Sequence, residues 1–500
     1  MRFALQPHLI PEPLLSTSQL TYKISEIPTI PEPSFNPSFT FNPNLQRHLS
    51  GKQLLLEDLP FSLEEIQLHY QNGYIAYRPA LKKTLEKYEC MRCGTKDWQW
   101  FASYPCSRCG ENCVYCRKCI MMGRISSCTP LICWLGPSPQ ENDSGASEPL
   151  LHWQGQLSQG QEEASRHVVQ AISTSTELLV WAVCGAGKTE VLFKGIEYAL
   201  TKGDRVCIAT PRTDVVLELT PRIKAVFPGI EVASLFGGSE DRHKYAAITI
   251  STTHQLQRFY HAFDTMIVDE VDAFPYSMDE SLQYAVQQAR KPHSAMIYLT
   301  ATPSQAWQRD CRVRKRQYVT IPARYHRQPL PVPVFLWCGN WEKQLERNTL
   351  PNNINTWIDQ RLKQGKQVLV FAPKIRLMEK MLPLFRQLHP KTEMVHAEDP
   401  IRKEKVGLMR NKEIPLLVTT TILERGVTFP NIDVAIIGTE DAIFTESALV
   451  QIAGRAGRSA QFPTGDVVFF HHGRTEAMVR ARKQITTMNQ QGLKRGLLDR

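Results

Sequence analysis

The chain has no run of 18 apolar residues, and so no stretch that would cross a bilayer as a helix. Its first residues, MRFALQPHLIPEP, lack the unbroken apolar core of a secretory signal. They hold one arginine and several prolines instead, so a cytoplasmic protein is expected. Acidic charge is the minority: 49 Asp and Glu stand against 59 Lys and Arg. The net charge of +10 favours a polyanionic partner such as nucleic acid. Cysteine is scarce outside one window. Of 13 cysteines, nine fall between Cys90 and Cys133. Without a secretory context, that clustering points to metal ligation rather than disulfides. No short-period internal repeat is present.

What is present is a soluble globular balance, 42% apolar and 22% charged, over 500 residues. That length exceeds one ordinary core, so about two to four domains are expected. The first 50 residues contain eight of the 33 prolines, spaced by Ser, Thr and Asn, and read as a flexible arm. In PFSLEEIQLHYQNGYI, Ser62 and Glu65 have capping-box spacing, the apolar positions keep a helical period, and Gly73 offers a stop. This helix and the cysteine window form an expected module over 51–135. A Pro/Gly/Ser-rich linker covers 136–152.

From Trp153 onward, short β-branched runs alternate with amphipathic stretches: ELLVWAV, RVCIAT, AAITIST, TMIVDE and AMIYLTAT. This is the texture of a parallel sheet wound with helices. A proline-rich connector over 322–338 interrupts it. The alternation resumes with KQVLVFAP, EMVHAE, IPLLVTTT, IDVAIIG and DVVFFHH. The reading is therefore α/β, with one lobe at 153–321, a second at 339–480, and a basic tail at 481–500.

AVCGAGKTE follows the first apolar run. Ala182 to Thr189 has phosphate-loop spacing, with alanine in place of the usual first glycine. In Gly185-Ala186-Gly187 the glycines let backbone N–H groups turn inward around phosphate oxygens. Lys188 would reach the β and γ phosphates, and the Thr189 hydroxyl would ligate Mg2+. The following helix turns its positive end to the anion. Downstream, TMIVDEVD delivers Asp269 and Glu270 at the end of a strand, where α/β sheets place ligands. Asp269 would hold Mg2+ and Glu270 would orient and deprotonate the attacking water. Asp272 would couple the site to LTATP at 299–303. Gln161, ahead of the loop, is placed to read adenine, whose edge matches a side-chain amide. QIAGRAGR supplies Gln451, Arg455 and Arg458. Two guanidinium groups aimed at the γ-phosphate would stabilise its transfer, an effect worth about 10³–10⁵ in rate.

In this order the motifs resemble those of the superfamily-two helicase and translocase motor over residues 157–458. The resemblance implies two tandem RecA-like lobes behind the cysteine module. It also implies nucleic-acid-contacting loops at ATPRTDVVLEL, FGGSEDR, ISTTHQL, FAPK and VTTTILERGVTFP. Thr210, Arg212, Thr252, Thr253, Thr420 and Thr421 would then hold phosphates, which positions a strand without reading its sequence. Basic residues at 309–317 and 474–500 would thicken the groove for single-stranded DNA; a solvated charged face explains them equally well.

The cysteine window contains CMRCG, CSRCG and CVYCRKC. Thiolates two residues apart on a tight turn can share one tetrahedral zinc, and two such pairs close a site. Cys90, Cys93, Cys116 and Cys119 are the favoured set. Cys106 and Cys109, with Cys113 and Cys128, are candidates for a second, so one zinc or two stays open. Cys184, Cys207, Cys311 and Cys338 are isolated and suit core positions.

A zinc module ahead of the motor, with YCRKCIMMGRIS, ISTTHQLQRF, PARYHRQPLPVP, TTTILERGVTFP and QIAGRAGR, resembles the ComFA family of bacterial late-competence ATPases over residues 50–480. The resemblance implies an ATP-driven motor on the cytoplasmic face of the membrane that helps pull transforming single-stranded DNA through the uptake channel. It also implies competence partners ComFC, DprA and the ComEC channel. The extra pair at 106/109 and Cys113 depart from the simplest four-cysteine form of the family. Two alternatives remain open. One is a replication-restart helicase like PriA, in which cysteines interrupt the second lobe. The other is a nucleotide-gated DNA clamp that does not translocate.

Overall fold

A computed structural model of the chain describes residues 1–84, 87–139, 149–425 and 429–499. It forms two compact units. The first comprises 1–154, 169–177 and 194–298; the second comprises 155–168, 178–193 and 299–500. Among the described residues, no helix is long and apolar enough to cross a membrane.

The first fifty residues, expected to be a flexible arm, are folded into the first unit. Arg2–Gln6 pairs antiparallel with His8–Pro11 and with Tyr22–Lys23. Phe3, Leu9, Ile24, Leu45 and Leu49 share one core with Ile66, Tyr70, Ile75, Tyr77 and Ile132. Composition misled here because these apolar residues are spaced singly, without a period, and their partners lie far along the chain. Prolines instead fix extended backbone that other groups hold. The Tyr70 hydroxyl donates to the Pro31 carbonyl at 2.6 Å, and Phe35, Phe39 and Phe41 pack round Tyr74. Asn42 caps the helix Pro43–Leu49 by accepting from the Asn44 and Leu45 N–H groups, with Pro43 in the first turn. Ser62 caps Leu63–Gln71 by accepting from the Glu65 N–H. The Glu65 carboxylate is taken by Asn42 Nδ2.

Pro130–Trp134 lies between Gln53–Leu54 and Ile75–Pro79 in a three-stranded antiparallel sheet. Two hairpins carry the cysteines: Leu81–Thr84 with Lys87–Cys90, and Phe101–Pro105 with Asn112–Cys116. This N-terminal part is fastened to residues 205–262 of the same unit. Gln53 donates to the Gln257 carbonyl, His48 stacks on His243, and Arg78 lies 3.6 Å over the Tyr260 ring. Of the expected linker, 140–148 falls outside the described residues. Its start is held where Gln46 and Trp134 both donate to the Pro137 carbonyl.

In the first unit, Val232–Leu235, Ile248–Thr252, Val206–Thr210 and Phe263–Asp269 follow one another in a parallel sheet; in the second, Glu177–Ala182 pairs parallel with Tyr318–Ile321. A second, six-stranded sheet runs Val334–Trp337, Val467–His471, Ile432–Ile437, Gln367–Phe371, Leu416–Thr419, Thr392–Val395. Every pair in it is parallel. Its central strands are buried throughout and read as continuous Val/Ile/Leu runs, as parallel strands covered on both faces require. Trp341, Trp357, Phe385 and Phe470 fill the core of this lobe. Val334–Trp337, expected in the connector, is instead the edge strand of this sheet. The expected basic tail is likewise the latter part of the helix Glu476–Lys494. Met478, Ala481, Ile485 and Met488 repeat on its buried face, while its charges point outward.

Candidate nucleotide site and cysteine centres

In the second unit the strand Glu177–Ala182 pairs parallel with Tyr318–Ile321 and feeds the phosphate-loop motif. Gly185 and Gly187 adopt φ of +81° and +68°, a region where an ordinary side chain is strained. The loop then runs through a turn at Glu190–Leu192 into the helix Phe193–Thr201, as a loop that presents N–H groups to phosphate must. Gln161 is buried and its amide is engaged by the loop. Nε2 donates to the Ala186 carbonyl at 2.9 Å and the Gly187 carbonyl at 3.3 Å, while Oε1 accepts from the Ser158 N–H. In this structure Gln161 therefore shapes the phosphate loop, and the same atoms would have to release it to meet adenine.

The arginine loop lies in the same unit. The helix Glu446–Ala453 carries Gln451, whose Oε1 accepts from Cys184 Sγ of the phosphate loop at 3.0 Å. Glycine is required next to it: a Cβ at Gly454 would lie 2.6 Å from Cys184 Cβ and 2.9 Å from its sulfur. Gly457 takes φ of +61° against the Pro463 carbonyl. The two arginines separate. Arg455 is 4% exposed and donates from Nε and Nη2 to the Glu424 carbonyl at 2.9 and 2.6 Å. Arg458 passes along the phosphate loop, its Cγ 3.7 Å from where a Gly185 Cβ would sit. Arg458 thus runs beside the phosphate loop, and Arg455 is fastened to the Glu424 carbonyl. Sequence spacing could not separate them, since both follow a glycine.

The same helix is tied to LTATP. Thr302 Oγ1 meets Ser447 Oγ at 2.8 Å, and Thr300 Oγ1 accepts from the Thr302 N–H. Arg425 also donates to Ser447. Residues 426–428 of the neighbouring VTTTILERGVTFP motif lie outside the described residues. One arginine was not singled out by the sequence: Arg324, in the connector, donates to the Gly454 and Gly457 carbonyls. Burial pushes its pKa down to about 10, with Arg458 adding to the effect against an opposing influence of Cys184.

In the first unit, Asp269 ends the buried strand Phe263–Asp269. Glu270 follows at φ +55°, a left-handed conformation that costs about 1–2 kcal/mol for a residue with a Cβ. Its N–H is held by Asp269 Oδ1 at 2.8 Å and its carbonyl accepts from the Ala273 N–H. The turn thus fixes the backbone of both acidic residues at the strand end. Thr210 and Thr252 are side by side at the ends of adjacent parallel strands, and the Thr253 N–H donates to the Thr210 carbonyl. Among the described residues, the hydroxyls of Thr210 and Thr253 are buried without a hydrogen-bond partner. Arg212 is held by Asp214 in a two-bond pair at 3.1 and 2.7 Å. In the second unit, Thr420 and Thr421 follow the strand Leu416–Thr419, half-buried at a short turn. In the 309–317 segment, Arg316 lies over the Trp307 ring.

The cysteines gather into two buried tetrads, Cys90/Cys93/Cys116/Cys119 and Cys106/Cys109/Cys113/Cys128, each with all sulfurs within 4.8 Å of one another. Within the first, Sγ···Sγ distances are 3.5 Å for 90/119 and 3.7 Å for 93/116. In the second they are 3.7 Å for 106/128 and 3.3 Å for 109/113. Four sulfurs at 2.3 Å from a tetrahedral zinc are about 3.8 Å apart, so both sets fit that ion. The local folds repeat: Gly94 donates to the Cys90 carbonyl and Gly110 to the Cys106 carbonyl, both glycines at φ +71°. Each C-x-R-C-G turn thereby aims two sulfurs at one point. Hydrogen bonding from Cys116 and its neighbours holds Cys93 far below the usual thiol range. Burial opposes ionisation of Cys106, but hydrogen bonds from Tyr104 and from the Arg108 and Cys109 N–H groups bring it down to about 6. Cys128 is the hardest member to read from sequence because it lies outside both hairpins, whereas its partners Cys106, Cys109 and Cys113 all belong to the second.

Comparison with known proteins agrees with this geometry. The model of the type III restriction enzyme res subunit matches residues 154–305, and that of the helicase conserved C-terminal domain matches 349–460. The chain is therefore a helicase-type ATPase of superfamily two, a class that binds nucleotide with Mg2+. The competence protein ComFA N-terminal domain matches residues 36–133. Competence protein ComFA of Bacillus subtilis (strain 168) is 50% identical over 451 residues, covering 90% of this chain and 96% of its own. Competence protein ComFA of Streptococcus pneumoniae is 36% identical over 416 residues, covering 83% and 93%. The chain belongs to the ComFA family of competence proteins. More distantly, the transcription-repair-coupling factor of Staphylococcus haemolyticus is 26% identical over 305 residues, 57% of this chain and 24% of its own. Among solved structures, RecG bound to a three-way DNA junction aligns with a TM-score of 0.48 at 17% identity, covering 69% of this chain and 47% of that one.

Proposed function

We propose that this chain is an ATP-driven motor that moves along single-stranded DNA and helps draw transforming DNA through the uptake channel of competent bacteria. The observation that carries the reading is the meeting of two loops in one compact unit. Cys184 of the phosphate loop bonds Gln451, and Arg458 runs beside Gly185. Kinship with the two ComFA proteins places that machinery in competence.

In this reading Gly185, Ala186, Gly187 and Lys188 cradle the phosphates and Gln161 sets the loop's shape. Thr189 and Asp269 would hold Mg2+, which neutralises charge between the β and γ phosphates. Glu270, at the left-handed position after Asp269, orients the water and takes its proton. Arg458 stabilises the charge that develops on the γ-phosphate. Gln451 links the phosphate loop to the arginine loop, and Arg455 holds that loop to Glu424. The cysteine tetrads hold zinc as a structural element. Thr210, Arg212, Thr252, Thr253, Thr420 and Thr421 mark the DNA track. ComFC, DprA and the ComEC channel are the partners, and the chain works at the inner face of the membrane through them.

The test is steady-state ATP hydrolysis alone and with single-stranded DNA, duplex DNA or RNA, with Lys188→Ala as control. Strong stimulation by single-stranded DNA, lost in the control, supports the motor. Hydrolysis indifferent to nucleic acid favours a clamp, and hydrolysis driven by RNA assigns a different substrate.

A further inference from the structure

Arg324 follows the strand Tyr318–Ile321 and is 1% exposed. Its Nη1 donates to the Gly457 carbonyl and its Nη2 to the Gly454 carbonyl at 3.2 Å. These two carbonyls bracket Arg455, and that of Gly457 immediately precedes Arg458. Among the described residues Nε has no acceptor. Burial and the nearby Arg458 both disfavour the charge on the guanidinium. A buried cation without a counter-ion is costly and is retained where carbonyl dipoles compensate.

The neighbouring residue completes a bridge. The Tyr325 N–H donates to the Gly185 carbonyl of the phosphate loop at 3.2 Å. A Cβ at Gly185 would lie 3.6 Å from Arg324 Cγ and 3.7 Å from Arg458 Cγ, so both arginine stems flank the loop. Two consecutive connector residues thus grip both halves of the site. Tyr325 takes the phosphate loop by its backbone, and Arg324 takes the arginine loop by its side chain. A guanidinium meets the two carbonyls with two donors fixed in one plane, a geometry that the single-centred, rotating ammonium of lysine does not reproduce.

We propose that Arg324 is a positioning residue for ATP hydrolysis. By holding the Gly454 and Gly457 carbonyls it sets the direction of Arg458, and through Tyr325 it ties that setting to the phosphate loop. The inference rests on the assignment of Arg458 to the γ-phosphate.

The experiment measures kcat and KM for ATP in Arg324→Met, Arg324→Lys, Arg458→Ala and the Arg324→Met/Arg458→Ala double variant. Thermal melting serves as the folding control. Misplacing a catalytic group by about 1 Å costs on the order of 10² in rate. Both Arg324 variants are therefore expected to lose about 100-fold in kcat, with KM for ATP within about threefold of the parent. The double variant is expected to be no slower than Arg458→Ala alone. Normal turnover in a folded Arg324→Met protein would overturn the inference. So would a double variant slowed by the product of the two single losses, since Arg324 would then act independently of Arg458. If Arg324→Met does not fold, Arg324→Lys decides: a slow enzyme supports the fork, and full activity overturns it. Normal turnover in Arg458→Ala would sink the γ-phosphate assignment itself, an outcome distinct from a slow Arg458→Ala beside a normal Arg324→Met.

Discussion

Gly454→Ala tests how tightly the two loops of the nucleotide site are built. The added Cβ would lie 2.6 Å from Cys184 Cβ and 2.9 Å from Cys184 Sγ. Carbon atoms in contact rest about 3.5–4.0 Å apart, so the loops must separate by roughly 1 Å. Neither neighbour is the end of a long side chain that could swing away, because Cys184 is part of the phosphate loop. The strain expected for one extra methyl in such a place is about 1–3 kcal/mol, and relief comes by moving the arginine loop off the phosphate loop. A 1 Å displacement of Arg458 predicts a fall in kcat on the order of 10². The Cys184 to Gln451 bond would be lost with it. The assay is steady-state ATP hydrolysis with a thermal melt on the same sample. The partner variant is Cys184→Gly/Gly454→Ala, which removes the atoms the new methyl meets and should recover much of the lost turnover. Gly454→Ala with parental kcat, or a double variant no better than the single, would refute the close approach.

Two further predictions follow from the N-terminal part. Metal analysis of the intact chain should give two zinc ions, and Cys128→Ser should give about one while also lowering the melting temperature; one zinc in the parent would contradict the second tetrad. Lys52 is 2% exposed, and burial first, then Arg205 and Arg258, push its pKa down to about 7. The unfolded chain keeps that proton up to about pH 10.4, so the destabilising effect of Lys52 is absent above that pH, grows as pH falls, and is complete below about 7. Lys52→Met should therefore be more stable than the parent at pH 7, with the gap in urea midpoint closing towards pH 10. A gap independent of pH would contradict the assignment.

Much of the motor was legible because its chemistry forces local spacing. A phosphate loop needs glycines at fixed offsets after a strand, and parallel strands buried on both faces must be nearly continuous apolar runs. The C-x-R-C-G turns were legible for the same reason, since one short turn aims both sulfurs. What escaped reading depends on distant partners. Phe3, Leu9 and Ile24 join a core with Tyr77 and Ile132, more than fifty residues away, and proline content hid them. The basic residues near the end drew attention to charge and away from the buried face of Met478, Ile485 and Met488. Arg324 lies in PARYHRQPLPVP, a stretch that assigns it no role; that role is visible only where its fork meets the Gly454 and Gly457 carbonyls. Arg455 and Arg458 are equivalent in sequence, and the contact of Arg455 with the Glu424 carbonyl could not be read from it.

The most direct test of the motor is displacement of streptavidin from the end of a biotinylated single strand, with ATP, with ADP, and with the Lys188→Ala variant. The account predicts displacement that requires ATP and a functional Lys188, and that is faster from one strand end than from the other. Tight binding of single-stranded DNA and ATP hydrolysis without displacement from either end would contradict it and leave a nucleotide-gated clamp.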